Sequence, residues 1–156
     1  MLVSLTAKLP ASEQGAEQAQ IELPTVVTKL RNVAIVKTGL RNPGSRSPTV
    51  VIEVKNNSDV PIMAMTVSYG RDGRRSIIED GALLPDRPRE IVLAPHATRK
   101  FRISLANIDK GTPVVVSGAI YADGMEDGEP RALKVIHEER EHERERRKAQ
   151  KGMPEP

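Results

Sequence analysis

The sequence contains no cysteine and no tryptophan, and its aromatic residues are limited to Tyr69, Phe101 and Tyr121. The lack of cysteine excludes a disulfide framework, thiol catalysis and cysteine-ligated zinc, although it leaves the cellular compartment open. With so few aromatic side chains, the core has to be built from Val, Ile, Leu and Met. Because β-branched residues favour strands, this composition already points toward a β-protein.

Long apolar runs are also missing. No stretch approaches the roughly 20 apolar residues that cross a bilayer, which excludes an integral membrane helix. The N-terminal residues 1 to 10 have no basic residue ahead of their short apolar stretch, and they lack the run of about 7 to 15 apolar residues of a signal peptide. We therefore expect no export signal in this chain.

Charge of one sign does not dominate either. The chain has 24 basic and 21 acidic residues, for a net charge of +3. A narrow excess of this kind is typical of a well-mixed surface. The overall charge by itself therefore does not imply nucleic acid as a partner.

What the sequence does have is a rhythm of seven short apolar segments, each ended by Gly, Pro, Asn or Asp. Their spacing is close to the 8 to 12 residues that separate the strands of a β-sandwich. We expect strands to start near Val33, Val50, Ile62, Ser76, Ile91, Phe101 and Val114.

Alternation within these segments predicts which side chains face the core. Val50, Ile52 and Val54 share one face of the second segment, while Glu53 and Lys55 share the other. Such a strand is half solvated. The last segment, residues 114 to 121, is apolar on both faces, which is typical of a central strand. The sequence therefore predicts an all-β, immunoglobulin-like antiparallel sandwich of about seven strands.

Both ends of the chain depart from this rhythm. Residues 11 to 20 are small or polar, so we expect residues 1 to 25 to form a flexible N-terminal segment. The sandwich is assigned to residues 26 to 129, and a helix with its tail to residues 130 to 156. Pro130 suits the first position of a helix, and no Gly or Pro follows until after Lys151.

The predicted helix changes character along its length. Its first turns carry an apolar face from Leu133, Val135 and Ile136, whereas residues 137 to 148 are charged all round. We expect this second part to be solvated and supported by charge pairs, Glu143 with Arg147 and Arg140 with Glu143.

Three stretches resemble a known group of modules. They are residues 51 to 62, which include Asn56-Asn-Ser-Asp-Val-Pro-Ile62, residues 93 to 103 and the strand at residues 114 to 121. Together they are similar to bacterial immunoglobulin-like sandwiches of the FxLYD and CARDB kind, except that His96 stands where those modules usually have Gly. The resemblance implies an exported, non-catalytic module at a cell envelope, and it carries over no catalytic residues.

An acidic turn is the candidate metal site. Four carboxylates fall within seven residues, and hard cations such as calcium take oxygen ligands from loops of this sort. The same turn precedes a helix, whose dipole stabilises acidic residues without any metal. The weak calcium candidates are Asp123, Glu126, Asp127 and Glu129, and no cofactor is expected.

Basic residues cluster at two other places. A hairpin tip and the chain tail could meet phosphates, although single-strand binders also supply aromatic platforms and only Tyr69 is near the hairpin. An ordinary polar loop is the favoured explanation of the hairpin. The possible interaction residues are Arg71, Arg74 and Arg75 at the hairpin and Arg146, Arg147 and Lys148 in the tail.

Histidine chemistry is weakly indicated. His137 and His142 are five residues apart, about 140° around a helix, so they cannot hold one ion. His96 lies in a turn and has no recognisable nucleophile motif beside it. We therefore expect a non-catalytic binding or structural module that contacts a protein partner. The alternatives are a cytoplasmic nucleic-acid accessory, using the basic hairpin and tail, and a weak hydrolase.

Overall fold

The computed structural model describes residues 21 to 84, 86 to 87 and 89 to 151, and within them the chain forms eight β-strands and one α-helix. The strands are β1 (Val26–Thr28), β2 (Val33–Arg41), β3 (Thr49–Asn56), β4 (Ile62–Tyr69), β5 (Arg75–Asp80), β6 (Thr98–Ser104), β7 (Val114–Tyr121) and β8 (Glu126–Gly128). The helix α1 spans Pro130–Lys151. Short 3-10 turns lie at Arg71–Gly73, Gly81–Leu83 and Leu105–Asn107.

The strands form two sheets. In the smaller sheet β2, β3 and β6 pair antiparallel in that order. In the larger sheet the order is β1, β7, β4 and β5, and β8 pairs with the same edge of β7 as β1 does. The pairing of β1 with β7 is parallel, whereas the other pairings are antiparallel. The prediction of a mostly β protein built from two sheets is confirmed.

The main core lies between the two sheets. Val50, Ile52 and Val54 of β3 are fully buried, and they alternate with partly exposed residues as the sequence predicted. Phe101 and Ile103 of β6 pack beside them. The larger sheet contributes Met65 and Val67 of β4 and Val114 and Val116 of β7.

A second, smaller core lies on the other side of the larger sheet, where α1 crosses it. Ala64 of β4, Ile120 of β7 and Ile136 of α1 form this cluster, and Leu133 packs against it. The helix approaches closely because Gly118 has no side chain, since a Cβ there would lie 3.0 Å from the Cβ of Ala132. Both faces of β7 are therefore covered, as predicted for a central strand.

Two local predictions are wrong, and one short strand was missed. The segment at Ile91 is not a strand, because Val92 and Leu93 instead bond to the backbone of Ile62 as an irregular segment with one isolated bridge. The acidic stretch before α1 contains β8 and is not a turn throughout. The short strand β1 was not anticipated. The predicted flexible segment lies outside the described residues except for residues 21 to 25, which are irregular.

The charged part of α1 also differs from the prediction. Its start at Pro130 and its extent to Lys151 are confirmed, and so is the pair of Glu143 with Arg147, 2.8 Å apart. Arg140, however, pairs with Asp80 of β5 and not with Glu143. The charged part is therefore not solvated all round, because one of its faces lies against the sandwich.

Candidate functional site

One side of the sandwich is bordered by β5 and β6, and we call it the open side. Each of these strands is the last in its sheet. Within the described residues, no backbone hydrogen bond beyond the strand ladders involves residues 75 to 80 or 98 to 104. Their outer N–H and C=O groups are therefore available to another chain, as edge strands typically are.

The opposite side is only partly closed, because β2 ends the smaller sheet there while the edge of β7 is covered. There β1 and β8 both lie along β7, so the edge of that central strand is covered at both of its ends. The carboxylate of Asp127 in β8 accepts a hydrogen bond of 2.7 Å from the backbone N–H of Arg31. This bond ties β8 to the segment between β1 and β2.

A pocket of about 290 Å³ lies at the open side, between the end of β5 and the segment that leads to β6. Two apolar side chains on its rim are exposed, Leu84 at 42% and Ile91 at 46%. Ile78 and Val92 line it as well. An exposed apolar pair beside an unpaired strand edge is a typical feature of a protein contact surface.

Charged groups give this pocket a polar side. Arg99 of β6 and Glu79 of β5 form an ion pair that links the two sheets, and both residues line the pocket. The Nη1 of Arg99 also donates a hydrogen bond of 2.8 Å to the carbonyl oxygen of Val92. A charge pair next to a free edge limits edge-to-edge aggregation. We refer to the β5 and β6 edges together with this pocket as the open-side groove.

Gly81 holds the end of β5 close to the pocket wall. A Cβ at this position would clash with the backbone of Glu90. Asp80 precedes it and accepts a hydrogen bond of 2.8 Å from the N–H of Ala82, which starts the short 3-10 turn. This turn carries the chain away from β5 toward Leu84.

The calcium candidates are not gathered around a common position. Asp123 accepts from the N–H of Met125 (3.0 Å), Glu126 contacts the Nε2 of His137 (2.6 Å) and Asp127 is bonded to Arg31. Glu126 and Asp127 are consecutive in β8, so their side chains leave opposite faces. Among the described residues, no group of three or more His, Cys, Asp or Glu side chains could hold a metal ion.

The basic candidates lie in two separate places. Arg131, near the start of α1, donates to the carbonyl of Asp72 in the hairpin that bears Arg71, Arg74 and Arg75. Arg147 lies 16 residues further along the helix, about 24 Å at 1.5 Å per residue. The structure thus does not bring the hairpin and the tail into one surface.

Several of these basic side chains are already bonded to other groups of the chain. Arg75 donates to the carbonyl of Asn107 (3.0 Å), and Arg146 and Arg147 both pair with Glu143 at 2.8 Å. Arg71 and Arg74 at the hairpin and Lys148 in the last turn of α1 are exposed.

His96 is paired with Asp59, with 2.7 Å between Nε2 and Oδ1. Both side chains are more than half exposed, at 59% and 95%. The pair joins the turn after β3 to the turn before β6, and His96 adopts a positive φ of 57° there. Its position is that of a turn residue on the surface. His142 is exposed on α1.

The turn after β3 is built around Asn56, which is fully buried. Its Nδ2 donates to the carbonyl of Val60 (2.8 Å), and its Oδ1 accepts from the N–H and the hydroxyl of Ser58. The motif residues therefore shape the turn, which is a structural role.

Sequence reasoning missed the open-side groove. Leu84 stands in a Pro-rich stretch that alternation does not interpret, and Ile91 is predicted to start a strand. Arg99 belongs to the half of β6 that precedes the recognised apolar residues. The available signal was that apolar residues 83 to 84 and 91 to 93 flank a mostly charged stretch.

No helix in the described part of the chain has the length and apolar character needed to cross a bilayer. Comparison of the chain with protein-family models, with curated proteins and with solved structures found no match. The functional argument therefore depends on the geometry of the molecule.

Proposed function

We propose that this chain is a non-catalytic binding module of a bacterial cell envelope, with an immunoglobulin-like sandwich that captures a protein partner at the open-side groove. The partner supplies an extended segment that pairs with the edge of β5. An apolar side chain of this segment enters the pocket between Leu84 and Ile91. Backbone bonds give affinity in this mode of recognition, and the pocket gives specificity.

The observation that carries this proposal is the coincidence of a free six-residue strand edge with an exposed apolar pair. Either feature alone is common on protein surfaces. Together they match the two needs of a bound strand, which are unpaired backbone groups and a place for alternate side chains.

The strand order supports the immunoglobulin-like assignment. Pairing of β3 with β6 in one sheet, and of β4 with β7 in the other, corresponds to the B–E and C–F pairs of that fold. The extracytoplasmic location rests on the resemblance of residues 51 to 62, 93 to 103 and 114 to 121 to envelope modules.

Site-specific photocrosslinking in cells tests the proposal. A photoreactive residue at Leu84 or at Arg75 is expected to give crosslinks to one partner protein, because both positions border the groove. The same residue at the exposed position Lys134 of α1 serves as the control. Crosslinks to that partner from Lys134 and none from the groove would contradict the proposal.

A double substitution tests whether the exposed apolar pair takes part in binding. Replacing Leu84 and Ile91 together by Ser removes the exposed apolar pair but leaves the core intact. We expect the crosslink from Arg75 to weaken at least tenfold, as is common when anchor residues are truncated. An unchanged crosslink would show that the pocket takes no part in binding.

A further inference from the structure

The solvent face of the three-stranded sheet collects positive charge. In β3, the residues that alternate with the buried Val50, Ile52 and Val54 point away from the core. The paired positions of β2 and β6 share that outer face. We call it the basic face, and its cations are Lys37, Arg41, Lys55, Lys100 and Arg102.

The register fixes how these charges are arranged. Glu53 of β3 lies between Lys37 of β2 and Lys100 of β6, and it is the one carboxylate on these outward positions. Arg102 lies opposite Val51 in the next row. Five cations against one carboxylate leave four positive charges on a face about 20 Å long and 10 Å wide, from the strand rise and spacing.

Close ion pairs do not hold these cations within the described part of the chain. Among the residues that the structure describes, none of the five lies within 4 Å of a carboxylate oxygen. Lys55 is partly buried and the other four are exposed. The hydroxyls of Thr49, Thr98 and Ser104 stand between them on the same face. The face thus offers charged and neutral donors to phosphate oxygens.

We propose that the basic face is a docking surface for an anionic lipid bilayer. The cations come from all three strands of one sheet, so they form a two-dimensional array that meets a planar array of phosphate groups. Juxtaposed basic residues of this kind bind anionic membranes reversibly. Val36, which is 54% exposed next to Lys37 in the bulge of β2, adds an apolar side chain at the rim of the face.

A nucleic acid fits this face less well. Proteins that bind single strands supply aromatic side chains on which bases stack. The outward positions of β2, β3 and β6 hold no aromatic residue, since Phe101 is buried in the core. The inference goes beyond the proposed function because it concerns a different surface from the open-side groove.

Vesicle sedimentation with the full chain tests the inference. The probes are neutral phosphatidylcholine vesicles, alone or with about one third phosphatidylglycerol as the anionic lipid. We expect binding to the anionic vesicles only, with a steep fall as salt rises from about 0.05 to 0.5 M because the charges are screened. Equal binding to neutral vesicles, or none to anionic ones, would overturn the inference.

Matched triple variants locate the surface. Each cation near an anionic membrane changes the partition coefficient about fivefold, so Lys37→Thr, Lys100→Thr and Arg102→Thr together should lower it about 100-fold. Arg74→Thr, Arg89→Thr and Lys110→Thr make the same charge change at exposed positions away from this face. An equal loss in both triples would contradict docking through the basic face.

A variant that is expected to bind more strongly provides a test that misfolding cannot mimic. Glu53→Gln removes the carboxylate at the centre of the face, and we expect about a fivefold stronger association with the anionic vesicles. An unchanged or weaker association would count against the inference. A short DNA duplex is the competing probe, and binding to it in the absence of vesicle binding would assign the face to nucleic acid instead.

Crosslinking from the groove separates this inference from the proposed function. The triple variant of the basic face should retain the crosslinks of the open-side groove. Loss of vesicle binding with intact groove crosslinks is therefore the expected pattern. A triple variant that loses both would overturn the assignment of two separate surfaces.

Discussion

Arg140 of the helix donates two hydrogen bonds to Asp80 of β5, from Nε to Oδ2 over 2.6 Å and from Nη2 to Oδ1 over 3.1 Å. The Asp80 side chain has no exposed surface, and its Oδ1 also accepts from the N–H of Ala82. A bidentate pair of this kind holds a buried carboxylate and fixes orientation. Together with Ile136 it attaches α1 across the larger sheet.

Arg140→Met should therefore destabilise the fold by about 3 kcal/mol, because it leaves the carboxylate of Asp80 buried without its cation. Arg144→Met is the control, since Arg144 is exposed and pairs with Glu141 on the helix surface. That change should cost less than about 0.5 kcal/mol. Urea unfolding of both variants measures the difference, and equal midpoints would mean that the Asp80 pair adds no stability.

The register of β3 gives a second prediction. Val54→Asp places a charge in the main core, where Val54 is fully buried, and should destabilise by about 4 kcal/mol or more. Lys55→Asp lies on the opposite face and should change the free energy of unfolding by less than about 1 kcal/mol. Thermal unfolding followed by circular dichroism distinguishes the two. Similar losses would indicate a different register.

The turn after β3 gives a third prediction. Asn56→Ala removes the side chain that bonds Val60 and Ser58 and leaves their polar groups unpaired, at a cost of about 2 to 3 kcal/mol. Asn57→Ala, at the exposed neighbouring position, should be nearly neutral. Denaturant unfolding compares the pair. A neutral Asn56→Ala would show that the turn is held by other contacts.

Tyr121 gives a pH dependence. Burial, and then the nearby charge of Asp127, raises the pKa of the Tyr121 phenol above its usual value of 10.0. As pH rises through the usual value of 10.0, the phenol of the unfolded chain loses its proton before that of the folded chain does. The free energy of unfolding therefore falls. The contribution is complete below about pH 10 and is lost as pH rises through the folded pKa.

Tyr121→Phe should flatten the fall in stability between about pH 9 and 11, compared with the unmodified chain. Tyr69→Phe is the matched control, because it makes the same chemical change at the other tyrosine. Both variants keep all the lysines and arginines, which also titrate at high pH. The free energy of unfolding at several pH values measures the slope. An identical slope in the unmodified chain and in Tyr121→Phe would rule out a shifted Tyr121.

The sequence by itself determined the strands whose burial alternates. Val50, Ile52 and Val54 cannot all be buried unless Glu53 and Lys55 point outward, since successive side chains of a strand leave opposite faces. The doubly apolar segment at residues 114 to 121 likewise required a covered central strand. Pro130 and the absence of Gly and Pro up to Lys151 determined the helix.

Only the tertiary structure decided where charges meet. Asp80 and Arg140 are 60 residues apart, and nothing in local periodicity selects that partner over Glu143. The cations of the basic face come from three strands, so their common surface depends on pairing. The edge of β5 and the pocket at Leu84 likewise depend on which strand ends each sheet. Local patterns determine which way a side chain points, whereas its neighbours depend on contacts between distant segments.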